Sequence, residues 1–294
     1  MPHTRSIGTH FPQAEIGSDH MVIRDFVQAA EEQGFSHINV PDHVLQTRTP
    51  RADFPAATRY TTEFPHHETL VLLAFIAGIT QRLILKSAVL ILPQRQAALV
   101  AKQAAELDVL SGGRFQLGVG LGWNTPEYEA LNMDYGSRAS RFVEQIEVCR
   151  RLWTEQHVTY RGEWHTIEDA GLAPMPIQQP IPVWIGAFVE PAILRAAQIG
   201  DGWQAMMPEP NEAASQTIAQ FKTAVEAGGR DPDEVGVEAT IFATGEDPER
   251  WAEAAREWFA IGATQVMFRP QGDFATIERA VSGFAPLLKD LVDV

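Results

Sequence analysis

The chain has 294 residues, 45% of them apolar and 21% charged, with a net charge of −15 and one cysteine. That balance excludes a disordered chain and leaves room for a core large enough to hold a cavity. Scattered Lys and Arg under a strong acid excess exclude a nucleic-acid partner, because phosphate tracking needs clustered cations, and a lone thiol excludes an internal disulfide.

Strand-like and helix-like stretches alternate along the chain. Ser6–Phe11 is a predicted strand closed by Pro12, and Asp19–Gln33 carries Met21, Val22, Phe26, Ala29 and Ala30 at helical spacing up to Gly34. Phe35–Pro41 is a second strand and Glu68–Thr80 a second helix. Leu83–Leu92 is a continuous apolar run of strand length, as expected of a strand buried on both faces. Gln94–Leu110 is a helix stopped by Ser111-Gly112-Gly113; Phe115–Gly120 is a strand, and Ser137–Thr154 an amphipathic helix. Val158–Ile167, with Gly162 near its middle, breaks the rhythm and predicts a small hairpin. Alternation then resumes: strands at Pro182–Gly186, Gly202–Met206, Val235–Ala243 and Thr264–Phe268, helices at Pro191–Ile199, Asn211–Ala227, Asp247–Ile261 and Phe274–Leu291.

About eight strand–helix units predict an α/β fold of the TIM-barrel type, a (β/α)8 barrel with a hairpin inserted before the fifth barrel strand. A doubly wound sheet would announce itself by glycines after the first strand, where this chain has Phe11-Pro12-Gln13. No linker or repeat divides residues 1–294, so one domain is expected. Met1–Gln13 lacks the apolar stretch of a secretory signal, and Leu83–Pro93 is too short to span a bilayer and holds Lys86. The expectation is a cytoplasmic protein with no membrane partner, and Cys149, in a helical pattern with Ile146, Leu152 and Trp153, is expected to be a buried, inert thiol.

Barrel chemistry sits on loops after the C-terminal strand ends. After strand two stands Val40-Pro41-Asp42-His43, an imidazole beside a carboxylate: either a proton-handling pair or a cap beside a solvated ring. After strand four, Gly118-Val119-Gly120-Leu121-Gly122 lets backbone approach a flat ligand, with Trp123 and Asn124 next and Pro126 opening an acidic loop. Gly186-Ala187-Phe188-Val189 feeds a helix and either offers N–H groups to a phosphate or is an ordinary turn. Metal is not expected: no HExxH or cysteine cluster occurs, and His66-His67, after Pro65, are expected to be surface histidines.

Together these segments resemble the luciferase-like flavin and deazaflavin oxidoreductases. The resemblance runs from Ser6 to about Met207. It is strongest at Leu90–Trp123 (LILPQRQAALVAKQAAELDVLSGGRFQLGVGLGW) and Gly136–Trp153 (GSRASRFVEQIEVCRRLW), followed by YRGEWHTI, PMPIQQPIPVWIGA and GDGW. It implies a homodimeric enzyme with a cofactor ring over the barrel mouth and a small organic substrate. The cofactor is coenzyme F420, with hydride transfer, or alternatively FMN, with two-component oxygenation served by a reductase partner. A family outlier that binds the cofactor without catalysis is the third reading.

The resemblance assigns His43 to proton transfer, with Asp42 fixing its tautomer. Ser87, Ala88 and Val89 match a strand-three bulge behind the ring, with a cis bond expected at Ala88–Val89. Gly120, Trp123 and Asn124 fall beside the ring, and Gly186, Ala187 and Phe188 match a phosphate-binding turn. Arg138 and Arg141 match an arginine pattern near the mouth; they either bind a cofactor tail or acidic substrate, or cap Glu144 and Glu147 on their own helix. Two departures stand out: Trp123 replaces a Glu found in some F420 dehydrogenases, and Ala187-Phe188-Val189 carries no hydroxyl. Phe11, Trp123 and a lid over Leu45–Pro65 are expected to shape the substrate pocket.

Overall fold

Strands buried on both faces must lie inside a layered fold, and eight such strands organise this chain. The computed structural model describes residues 4–48 and 61–292. In chain order its strands are β1 (Ser6–His10), β2 (His37–Val40), β3 (Ile84–Ser87) with its continuation β4 (Leu90–Ile91), and β5 (Phe115–Gly120). The hairpin β6 (Val158–Arg161) and β7 (Thr166–Ala170) follows, then β8 (Val183–Ala187), β9 (Gly202–Ala205), β10 (Gly236–Ala243) and β11 (Gln265–Pro270). The helices are α1 (His20–Glu32), α2 (Thr69–Ile79), α3 (Ala97–Ser111), α4 (Thr125–Ala130), α5 (Arg138–Thr154), α6 (Glu190–Ile199), α7 (Glu212–Ala227), α8 (Pro248–Ala260) and α9 (Phe274–Phe284).

The barrel strands pair in the order β1-β2-β3-β5-β8-β9-β10-β11, every pair parallel, and β11 returns to β1. This is the expected closed (β/α)8 barrel, with the β6–β7 hairpin before the fifth strand. Glu144 of α5 fixes that hairpin by accepting from the backbone N–H of Glu163, Trp164 and His165.

Three elements differ from expectation. The Leu83–Leu92 run is two strands, because residues 86 to 90 face residues 116 to 119 of β5, one residue too many for a continuous ladder. The surplus is taken up at Ala88–Val89, whose peptide bond is cis, as expected. The last helix ends at Phe284 and continues as a 3-10 segment, Ala285–Asp290, because Pro286 has no N–H to give. The expected acidic loop after Asn124 is the short helix α4, opened by Pro126. Most of the expected lid, residues 49–60, lies outside the described residues.

The barrel interior is partly polar. Trp184 fills its lower end, where a Cβ on Gly202 or Gly236 would lie 2.2 or 2.3 Å from the indole. Above it, Lys86 Nζ sits 3.4 Å from the Trp184 ring centroid and donates to Gln265 Oε1 at 2.7 Å. Glu238 gathers Lys86 (3.1 Å), His37 (3.0 Å) and Asn39 (3.0 Å) on one oxygen and Gln204 (2.9 Å) on the other. Burial alone would raise the Glu238 carboxyl, but Lys86 and these donors outweigh it and hold it ionised, while burial lowers Lys86 to about 8.

Gly118 lies where β5 meets the end of β3: a Cβ there would fall 1.9 Å from the Ser87 carbonyl oxygen. Backbone cannot yield as a flexible side chain can. Gly118→Ala is therefore expected to cost about 1–3 kcal/mol, read as a lower urea midpoint at unchanged slope; an unchanged midpoint would refute the packing account.

Candidate active site

The C-terminal strand ends converge on one mouth. Pro41 ends the β2 run, and the chain turns so that His43 lies almost buried at the rim. Its Nδ1 faces the carboxylate of Glu127, 3.2 and 3.1 Å from the two oxygens. Glu127 comes from α4 and also accepts from the N–H of Val44 (2.8 Å) and Leu45 (3.1 Å). Burial alone would raise its carboxyl, but His43 and these N–H donors outweigh that and hold it below the usual range. A carboxylate on Nδ1 fixes the orientation and tautomer of the ring.

The contact with the His43 ring expected of Asp42 is made by Glu127 instead. Asp42 is committed elsewhere: Oδ1 accepts from Thr69 Oγ1 (2.9 Å) and Arg95 (2.9 Å), and Oδ2 from the N–H of Ile91 (2.9 Å). It ties the loop after β2 to α2 and to β4, and so holds the backbone that carries His43. The histidines taken for surface residues are also drawn in. His66 meets His43 edge-on with ring centroids 5.5 Å apart, and His67 donates from Nε2 to the Gly17 carbonyl at 2.9 Å. Trp123 flanks His43 from the other loop, its ring centroid 5.6 Å away. Phe11 is fully buried against Phe26 and His67, a core residue rather than a pocket wall.

Val89 is the centre of the cofactor-side residues. A Cβ at Gly120 would come within 2.5 Å of its Cγ2, and one at Gly186 within 2.6 Å of its Cγ1. The glycines of β5 and β8 therefore make room for the bulge itself. Ser87 locks it from below, Oγ donating to the Gly118 carbonyl at 2.8 Å. Ala187 is buried, its carbonyl accepting from Trp203 Nε1, whereas Phe188 is 72% exposed at the mouth. Asn124 Oδ1 is buried with no hydrogen-bond partner. A flat apolar shelf made by Val89 between two glycines, an open aromatic at Phe188 and an orphaned acceptor at Asn124 fit a planar heteroaromatic ring with an N–H to share. The turn before α6 fits a phosphate less well, because Glu190 and Pro191 occupy the first turn.

Neither arginine is the cap on its own helix that one of the two expectations gave it. Arg141 is buried and donates to the carbonyls of Pro93 (2.9 Å) and Asp134 (2.9 Å) and to Ser137 Oγ (2.6 Å). Arg138 lies over the Tyr135 ring at 3.7 Å and donates to the Tyr135 carbonyl. Glu144 serves the hairpin and Glu147 accepts from Tyr160 Oη, so neither arginine caps them. Cys149 is buried, its thiol pushed up to about 12 by burial, which makes it inert. Among the described residues no His, Cys, Asp or Glu cluster could hold a metal, and no helix is long and apolar enough to cross a membrane.

The family model described as luciferase-like monooxygenase matches residues 9–284. The chain belongs to that family. It is thereby a flavin- or deazaflavin-dependent oxidoreductase by class. An uncharacterized protein of Mycobacterium tuberculosis is 35% identical over 232 residues, 77% of this chain and 80% of that one. An F420-dependent hydroxymycolic acid dehydrogenase of the same organism is 29% identical over 268 residues, 89% of this chain and 69% of the relative. Among solved structures, an F420-dependent secondary alcohol dehydrogenase in complex with an F420-acetone adduct superposes with a TM-score of 0.79 at 17% identity, covering 99% of this chain and 100% of that one. That likeness carries the barrel fold.

Sequence reasoning missed Glu127. The signal was present, a proline followed by an acid within a few residues of the glycine run, but a six-residue helix shows too little periodicity to be seen. Replacing Glu127 with Gln removes the charge and one of the two acceptor oxygens that meet three donors, and is expected to cost about 1–3 kcal/mol at pH 7. A depressed carboxyl stabilises above its unfolded pKa of roughly 4.3, and that contribution is lost as pH falls through the folded value. The gap between wild type and Glu127→Gln should therefore narrow between pH 5 and 3 by urea denaturation, and a constant gap would contradict the ionised carboxylate.

Proposed function

We propose that this protein is an F420-dependent oxidoreductase that moves a hydride between the cofactor and a small alcohol or carbonyl substrate. The observation carrying the reading is the His43–Glu127 pair at the mouth, beside the bulge at Val89. The F420-dependent relatives support the choice of cofactor. Val89, Gly120 and Gly186 would hold the ring, with Asn124 within reach of its polar edge. A deazaflavin bound there supplies the hydride acceptor or donor.

The chain's own residues do the rest. Glu127 orients His43 through Nδ1, so that Nε2 takes a proton from the substrate hydroxyl in oxidation and returns it in reduction. Trp123 and His66 wall the ring of His43 and limit the water reaching it. Asp42, through Arg95 and Ile91, keeps the loop in place. We place the protein in the cytoplasm as a single-domain homodimer; Val71 and Phe75 on α2 and Leu99 on α3, exposed apolar side chains on neighbouring helices, support self-association.

Titrating the protein with F420 and with FMN while following tryptophan fluorescence tests the cofactor. Selective micromolar F420 binding is expected; selective binding of reduced FMN would move the protein to the oxygenating branch, and binding neither would remove the reading. His43→Ala is expected to keep F420 affinity and lower turnover by roughly 10²–10⁴-fold. Equal turnover would remove His43 from the chemistry.

A further inference from the structure

The chemistry just described leaves one imidazole of the mouth unused. His10 is the last residue of β1. Its direction follows from the pleat: a Cβ on Gly8 would run into the His37 ring inside the barrel, and His10, two residues on, shares that side. The same rule brings Arg269 beside it. Thr9 pairs with Phe268, so His10 and Arg269 are the next residues of the two strands, and Phe268 packs outward on Phe35, Phe284 and Trp251.

The ring is partly exposed, yet its Nδ1 is sealed from solvent and has no hydrogen-bond partner. A sealed, unmatched acceptor is tolerated better than a sealed, unmatched donor. The proton of the neutral ring therefore sits on Nε2, on the open edge. Burial first, then the Arg269 guanidinium on β11 and His66 from the segment before α2, hold the imidazole well below its ordinary pKa. These surroundings keep it uncharged where an ordinary histidine would gain a proton.

Its place in the ring of strands gives this donor a partner. Strands four apart in an eight-stranded barrel face each other, so β1 looks across the mouth at β8, where Gly186 backs Val89. His10 thus stands on the side of the mouth opposite the strand that backs Val89, where it would face a ring held there. Substrate then lies between the two, with His43 at its side.

We propose that His10 is a second substrate-binding imidazole, a neutral donor whose Nε2–H binds the oxygen of an uncharged carbonyl or alcohol. It rests on the hydride-transfer reading, and it neither gains nor loses a proton in the reaction. Two imidazoles then share the work: His43 exchanges the proton, and His10 holds the oxygen.

The test uses the full chain labelled with 15N-histidine, with His10 signals assigned through His10→Gln. Without cofactor, the His10 nitrogens are expected to keep the neutral Nε2–H pattern from pH 8 to pH 5.5; protonation with a midpoint near 6.5 would overturn the proposal. Adding cyclohexanone to the F420-loaded protein should shift the His10 Nε2 signal. His10→Leu should weaken cyclohexanone binding about tenfold, the loss of one hydrogen bond, with F420 affinity unchanged. A shift confined to His43, equal binding in the variant, or no cyclohexanone binding to either protein would each overturn it. Failure to bind F420 at all would strike the cofactor reading instead, and the titration without cofactor would still decide the state of His10.

Discussion

The contact on which this molecule depends is a steric one: the backbone and side chain of residues 87 to 89 press against three positions that have no side chain. Gly118 faces the Ser87 carbonyl, and Gly120 and Gly186 face the two methyl groups of Val89. Any Cβ at these places would meet an atom closer than van der Waals contact allows. With glycine there, the strand can carry one residue more than its neighbour and still rejoin the ladder at Leu90. The displaced Val89 then stands proud at the mouth, and the loops after β2 and β5 close around it. Asp42 binds the N–H of Ile91 just past the bulge, so the same irregularity also sets the loop that carries His43.

Charge is arranged in two layers beneath and around that shelf. Below, Glu238 and Lys86 neutralise each other inside a cage of amides and one imidazole, which keeps a buried carboxylate and a buried ammonium from destabilising the barrel. Above, Glu127 sets a negative charge against the His43 ring, and its own solvation is replaced by two backbone N–H groups. The two carboxylates differ in purpose. One sits in a saturated cage that gives it nothing further to do. The other shares its proton partner with a rim open to ligand.

The fold was legible because it is written in repetition: apolar runs of strand length alternating with helices, broken once by the hairpin at Gly162. His43 and the bulge were legible because neighbours in sequence carry them. What escaped depends on contacts between distant residues. Asp42 is adjacent to His43 in sequence, yet its carboxylate turns to Thr69, Arg95 and Ile91, while Glu127, 84 positions away, takes the imidazole. His66 and His67 follow a proline in polar company and carry no sign of burial, but one meets the His43 ring and the other the Gly17 carbonyl, and both are half-buried. Glycines 118 and 120 signal close approach correctly, without saying that the approaching group is the protein's own strand.

The indole of Trp184 and the packed side chains above it close the barrel from below, so a ligand reaches the site from the rim. Cofactor and substrate must pass the same rim, so whichever lies deeper arrives first and departs last. On the proposed reading, with the ring backed by Val89 and the reacting oxygen between it and His10, shape alone would order the traffic. A tightly held product would trap the cofactor behind it, and turnover would then be governed by departures from the rim, not by the transfer itself.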